Sequence, residues 1–248
     1  MEKNINKLFF LHIKECAGPL IKKILYTKQL YTYLPEAKNP PTFIQSDQKY
    51  WNDILNNRRI YLGNYHNKRS LFAKTFLYKS EWPNLFKFTF VEHPYARIKS
   101  CFFYLYKTHD NKKLFLEKTA NYSNLKILKN YLISKININY CFDRFLDLVE
   151  FSLQNFSNNL KNFRSHIEPF YSDITDDFEN VLLDKIYKVE DLEKNLKEIF
   201  EIYKVDFDKK ILDFRVDNKN KHTLELTKYQ IKKIDKIYSK DLECYFKL

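Results

Sequence analysis

Apolar positions along the chain change their period several times, and each change marks an element. Lys7–Ile13 (KLFFLHI) is a short apolar run rich in aromatics, followed by a loop, Lys14–Pro19, and by Leu20–Leu34, where apolar residues recur at helical spacing. The order predicted is strand, loop, helix. Residues 35–50 hold Pro35, Pro40 and Pro41 among polar spacers, an exposed connection, before Trp51–Asn56 resumes a helical pattern. Arg59–Leu62 predicts a second short strand and Lys87–Val91 (KFTFV) a third, which ends at Glu92-His93-Pro94 and leads into a helix over Tyr95–Lys107. Tyr140–Leu153 and Asp191–Tyr203 read as amphipathic helices, with Val181–Lys188 as a buried strand between them. Thr227–Tyr245 reads as one final helix.

Strands alternating with helices predict an α/β fold: a parallel sheet flanked by helices, with ligands beyond the carboxyl ends of the strands. A chain of 248 residues is the size of one such domain, expected to span residues 1–248. Hydrophobic content of 44% with 30% charged residues is a globular balance and excludes a disordered chain. The first residues offer a five-residue apolar run before charge returns, too short for a signal-peptide core or a membrane span, so no transmembrane segment is expected. Cys16, Cys101, Cys141 and Cys244 form no CxxC pair, and no His/Cys/Asp cluster has ligand spacing. The expectation is a reduced, cytoplasmic protein without a metal.

The net charge of +12 suits phosphates, nucleic acid, anionic membranes or acidic saccharides, and it equally suits coding bias toward lysine. Without an RNP-type or zinc-knuckle pattern, the many aromatics are assigned to the core and no nucleic-acid partner is expected. The lysines of the last helix, Lys232, Lys233, Lys236 and Lys240, read as a solvated face.

A strand running into a Gly-containing loop and a helix is a phosphate-site candidate, because loop N–H groups and the helix N-terminus present unpaired donors to an anion. An ordinary tight turn from strand to helix is the alternative. Gly18 and Gly63 are the only two glycines in the chain, which gives weight to the one in this loop. A kinase-type phosphate loop would need GxxxxGK[ST], and the sequence has no such run.

Two blocks in combination carry a family resemblance. Phe9–Ile21 (FFLHIKECAGPLI) resembles the 5'-phosphosulfate loop of sulfotransferases that use 3'-phosphoadenosine 5'-phosphosulfate (PAPS), of the carbohydrate type, family 2-like, whose usual form is near FxHIPKTGGTSL or FxHIKKCAGTSI. Phe88–Phe103 (FTFVEHPYARIKSCFF) resembles the 3'-phosphate block, typically FxFVRDPYxRxxSxY, and matches it at Phe90, Val91, Pro94, Tyr95, Arg97 and Ser100. The resemblance implies a P-loop-like sulfotransferase fold and transfer of a sulfuryl group from PAPS to a hydroxyl of a saccharide or similar acceptor, with no metal. It implies a donor site built from Lys14, Cys16, Ala17, Gly18, Pro19 and Leu20, with Arg97 and Ser100 one helical turn apart at the 3'-phosphate. Lys219 and Lys221, in the polar segment Arg215–His222, are candidate clamps over the nucleotide, with a solvated charge run as the alternative. His166 and Glu168, in FRSHIEP, fall in the acceptor-side region and are candidates to orient a substrate hydroxyl, or are loop side chains with no role.

The departures lie at the same places. The family's loop lysine falls on Glu15, its Thr-Ser pair on Pro19 and Leu20, and its first arginine of the 3'-phosphate block on Glu92. Proline removes a backbone N–H, and a carboxylate repels phosphate. Lys14 is the cation one position earlier that can take the catalytic part of the lysine. The family's Gly-His pair reads Gly63-Asn64, leaving His66 two residues on as the candidate base, or as a surface-loop histidine. These departures motivate a second reading, a catalytically inactive sulfotransferase-fold protein that binds a ligand or a partner.

Overall fold

Among the described residues, three short strands, β1 (Leu8–Leu11), β2 (Phe86–Val91) and β3 (Lys185–Lys188), pair in parallel in the order β1-β2-β3. Phe10 lies opposite Phe88, and Phe90 opposite Tyr187, so the two-residue period of the strands puts all four rings on one face. Helices α1 (Gly18–Thr27) and α8 (Leu192–Ile202) cover that face, burying Ile21, Ile24, Leu25, Leu196, Ile199 and Phe200 against it. On the alternate positions, Phe9 packs edge-on against Tyr78 and Trp82. Burial on both faces is why β1 reads as an unbroken apolar run rather than an alternation.

The computed structural model describes residues 8–35, 42–57, 62–108, 137–155, 161–214 and 224–248. They gather into two compact units, one of residues 1–92, 169–218 and 247–248 and one of residues 93–168 and 219–246. The first unit holds the sheet. The expected strand Arg59–Leu62 lies outside the described residues except for Leu62, which is buried.

The outer edge of β1 is closed by side chains. Helix α2 (Trp51–Asn57) presents Asn52 and Asn56, one turn apart. Asn52 accepts from the Phe10 N–H at 3.1 Å and donates to the Phe10 carbonyl at 3.0 Å. Asn56 donates to the same carbonyl at 2.7 Å and accepts from the His12 N–H at 2.7 Å. Two carboxamides thus do for β1 what a further strand would do, and the edge offers no template for another chain there.

Two elements end earlier than their apolar patterns. The helix expected to reach Leu34 stops at Thr27, because Gln29 turns left-handed (φ 58°) while the Gln29 N–H bonds the Tyr26 carbonyl and the Leu30 N–H the Leu25 carbonyl. That double bond pattern is a Schellman stop, usually marked by glycine. Lys204 (φ 53°) ends α8 in the same way, with Lys204 and Val205 bonding the carbonyls of Glu201 and Phe200. The strand expected from Val181 begins only at Lys185. Val181 instead bridges antiparallel to Thr175, and Lys185 is exposed, so β3 is a short edge strand rather than a buried one. The first unit also holds two short helices, α3 (Arg69–Phe72), which runs on into a π turn over Ala73–Leu77, and α7 (Phe170–Ile174).

The described residues of the second unit form helices α4 (Pro94–Thr108), α5 (Ile138–Gln154), α6 (Lys161–Ile167), α9 (Lys228–Ile237) and α10 (Ser239–Phe246). Phe102, Phe142, Phe145, Phe163, Ile167 and Ile234 form its core. The expected single C-terminal helix is two, broken at Tyr238, whose hydroxyl donates to the Ile167 carbonyl at 2.6 Å. A capping box of Thr227 and Gln230 starts α9. Of the lysines expected on a solvated face, Lys233 pairs with Asp147 and Glu150, and Lys236 with Glu150 at 2.9 Å, so they tie α9 to α5. Among the described residues no helix is long and apolar enough to cross a membrane.

Candidate active site

In the first unit, the chain leaves the carboxyl end of β1 through His12 and turns over Lys14–Ala17 into α1. Glu15 (φ 59°) and Ala17 (φ 55°) are both left-handed, which gives the backbone the kind of concavity that presents N–H groups to an anion. Gly18 opens the helix at a close approach: a β-carbon there would fall 1.7 Å from Cδ2 of the His12 ring. Glycine is required for space. The other glycine, Gly63 (φ 59°), has nothing within 4 Å of such a carbon and serves a turn instead. Cys16 and Gly18 are buried, Lys14, Glu15, Ala17 and Leu20 half-buried, and Pro19 exposed.

The frame around this loop is polar and buried. Arg69 Nη1 donates to the His12 carbonyl at 2.9 Å, while Nε and Nη2 of Arg69 donate to Asp173 at 3.1 and 2.7 Å. The Arg69 N–H adds a third bond to Asp173 at 3.1 Å, and Arg69 is only 1% exposed. Lys22, the buried cation in α1, donates to Asn57 at 3.1 Å and lies 4.0 Å from Asp53. His66 follows the single 3-10 turn Gly63–Tyr65 and is buried, which corrects the surface-loop alternative for it.

In the second unit, α4 begins with a histidine cap. Nδ1 of His93 accepts from the Tyr95 N–H at 3.2 Å, and its ring lies 4.9 Å from those of Tyr95 and Tyr245. Tyr95 donates its hydroxyl to Asp235, and that bond to a carboxylate holds the phenol proton, pushing its pKa up to about 12. Arg97 is buried, donates through Nη2 to the carbonyls of His166 at 3.1 Å and Glu168 at 2.7 Å, and lies 3.6 Å from Asp241. Ser100, one turn on, is half-buried. His166 belongs to α6 and stacks on Tyr104 at 4.8 Å, and Glu168 is buried 3.5 Å from Arg164. His166 is thus a helix residue, while Glu168 lies in the bend just after α6. Lys219 and Lys221 lie outside the described residues.

The sulfotransferase family matches residues 2–247 of this chain, which cover the parallel sheet, the turn after its first strand and the helix that opens on Gly18. The chain belongs to the sulfotransferase family. Its α/β architecture, a three-stranded parallel sheet flanked by helices, is the sulfotransferase fold. The family's chemistry is sulfuryl transfer, which implies a sulfate donor and an acceptor as the two substrates. Searches of curated proteins and of solved structures found no similar chain.

In this sulfotransferase the sequence pattern brings Lys14, Cys16, Ala17, Gly18, Pro19 and Leu20 together because they are consecutive. The pattern misses the residues that hold Phe10 and His12, from which the loop springs: Asn52 and Asn56 of α2, Arg69 and, behind it, Asp173, joined only by folding. The one signal available was the Arg-Ser pair directly after a polar turn, at Arg69-Ser70, which resembles many surface helix starts. Among the described residues no group of three or more His, Cys, Asp or Glu is placed to hold a metal.

Proposed function

We propose that this sulfotransferase transfers the sulfuryl group of PAPS to a hydroxyl of a saccharide or a similar acceptor. The observation that carries the reading is the family match over residues 2–247. The turn that follows β1 supports it, since its left-handed residues and the start of α1 offer N–H donors where phosphate charge is to be held. In the reaction the acceptor oxygen forms a bond to sulfur, the bond from sulfur to the bridging phosphate oxygen breaks, and the acceptor proton passes to a base. Lys14 is the candidate cation for the leaving phosphate and His66 the candidate base. Cys16, Ala17, Gly18, Pro19 and Leu20 complete the donor loop. Ser100 and Arg97 are assigned to the 3'-phosphate, Lys219 and Lys221 to the nucleotide, and His166 and Glu168 to the acceptor. Cys16, Cys101, Cys141 and Cys244 are thiols, which agrees with the cytoplasmic location we propose.

Charge weighs against PAPS. Glu15 and Glu92 are half-buried carboxylates within the two blocks, Pro19 brings no N–H, and Arg97 already serves two carbonyls. These contacts of Arg97 favour the second reading, a sulfotransferase-fold protein that binds a ligand or partner without chemistry. Calorimetric titration with 3'-phosphoadenosine 5'-phosphate, the product nucleotide, separates the two. Micromolar binding that is lost in Ser100→Ala supports the enzyme. No binding at millimolar nucleotide removes the donor reading and leaves the second.

A further inference from the structure

We infer that Arg69, oriented by Asp173, is a positioning residue for the donor loop: it fixes the peptide of His12 from which the loop springs. The inference rests on reading that loop as the donor site.

The geometry is that of a rigid pointer. A guanidinium is planar, so when Nε and Nη2 face one carboxylate, at 3.1 and 2.7 Å from Asp173, Nη1 projects on the far side in a direction the ion pair has fixed. That direction ends on the His12 carbonyl, 2.9 Å away. The N–H of the same residue is held by Asn56 at 2.7 Å, so both backbone polar groups of His12 are clamped by side chains from two different helices. The ring of His12 in turn fills the space beside Gly18, which links the start of the loop to its end. Between these two pins lie Glu15 and Ala17, left-handed residues that keep such conformations only where the surroundings determine them.

Stability is a poor explanation for this ion pair. Two fully buried charges lose their hydration, and replacing such a pair by well-packed apolar residues is often neutral or stabilising. What an apolar pair cannot supply is a donor aimed at the His12 carbonyl.

The test compares wild type, Arg69→Lys and the double variant Arg69→Met/Asp173→Leu in the full chain. Three quantities are read: the urea unfolding midpoint, hydrogen exchange of the amides in residues 13–20, and affinity for 3'-phosphoadenosine 5'-phosphate. The double variant is expected to have a lower midpoint, because the Arg69 N–H and the His12 carbonyl lose their partners, to exchange faster in residues 13–20 beyond any increase shared by the rest of the chain, and to bind the nucleotide about tenfold more weakly, as loss of one charge-assisted bond at the frame would give. Arg69→Lys keeps a cation beside Asp173 but not the fork, and it is expected to show the same local exchange even if the double variant does not fold. Unchanged exchange in residues 13–20 in a folded variant overturns the inference, and so does wild-type nucleotide affinity in a variant whose loop exchanges faster. If wild type itself binds no nucleotide, the donor reading fails while faster local exchange still supports the positioning of the loop by Arg69.

Discussion

Gly18 and His12 share one space: a β-carbon on Gly18 would lie 1.7 Å from Cδ2 and 1.9 Å from Nε2 of the His12 imidazole. The ring is buried and its backbone is fixed on both sides, so it cannot withdraw cheaply. Gly18→Ala is therefore expected to cost about 1–3 kcal/mol by overpacking. Gly63→Ala strains only a left-handed turn in open space, for about 1 kcal/mol. Urea unfolding of the two variants, and of Gly18→Ala combined with His12→Ala, checks the cause. The penalty at position 18 should shrink when the ring is gone, and a penalty that persists would mean that backbone conformation, not space, makes glycine necessary.

Gln29 and Lys204 occupy the left-handed position of two Schellman stops where glycine carries no steric penalty. Gln29→Gly and Lys204→Gly should each stabilise the chain by about 1 kcal/mol, less the greater freedom of glycine when unfolded. They lie in separate helix ends and should add. Thermal melts of both single variants and the double read this directly; a fall in the midpoint would show that the side chains contribute more than the backbone strain they impose.

Alkaline pH should weaken the second unit through Tyr95. Its folded pKa is raised to about 12 by the hydrogen bond to Asp235, above the ordinary value of 10.0. A raised pKa gives stability that is fully present below pH 10 and is lost as pH climbs toward 12. Tyr95→Phe lacks the bond at every pH, so its stability deficit at pH 8 is expected to narrow between pH 10 and 12. Denaturant titrations at four pH values suffice, and a deficit constant across that range would remove the hydroxyl as the titrating group.

Asn52→Ala should leave the buried Phe10 N–H without its acceptor while Asn56 still serves the carbonyl. The expected loss is about 1–3 kcal/mol, the cost of an unsatisfied buried donor. Opening one position of the β1 edge should also raise aggregation on heating. Light scattering during a thermal ramp tests the second effect apart from the first.

How much of this was readable depends on the range of the interactions involved. Lys7–Ile13 and Lys87–Val91 were legible as strands because the sheet is buried on both faces and both segments are short and rich in aromatic and apolar residues. Trp51–Asn56 and Asp191–Tyr203 were legible as helices from spacing alone. The end of α1 was not, because the residue that stops it is Gln29, and nothing local distinguishes it from a helical glutamine. Tyr238 likewise looks like a mid-helix aromatic until its hydroxyl is seen on the Ile167 carbonyl, 71 positions away. Val181 fits a strand by composition and was drawn off by Thr175.

By itself the sequence determined the parallel α/β order, the family, and the consecutive residues of the loop, because periodicity and contiguous motifs are properties of neighbours in the chain. Tertiary structure alone decided what holds that loop. Asn56 and Arg69 reach His12 across separations of 44 and 57 positions, and Asp173 holds Arg69 from 104 positions away. A lone Asn, Arg or Asp suits a solvated surface as well as a buried frame, and desolvation with mutual hydrogen bonding distinguishes the two only after the chain has closed around them.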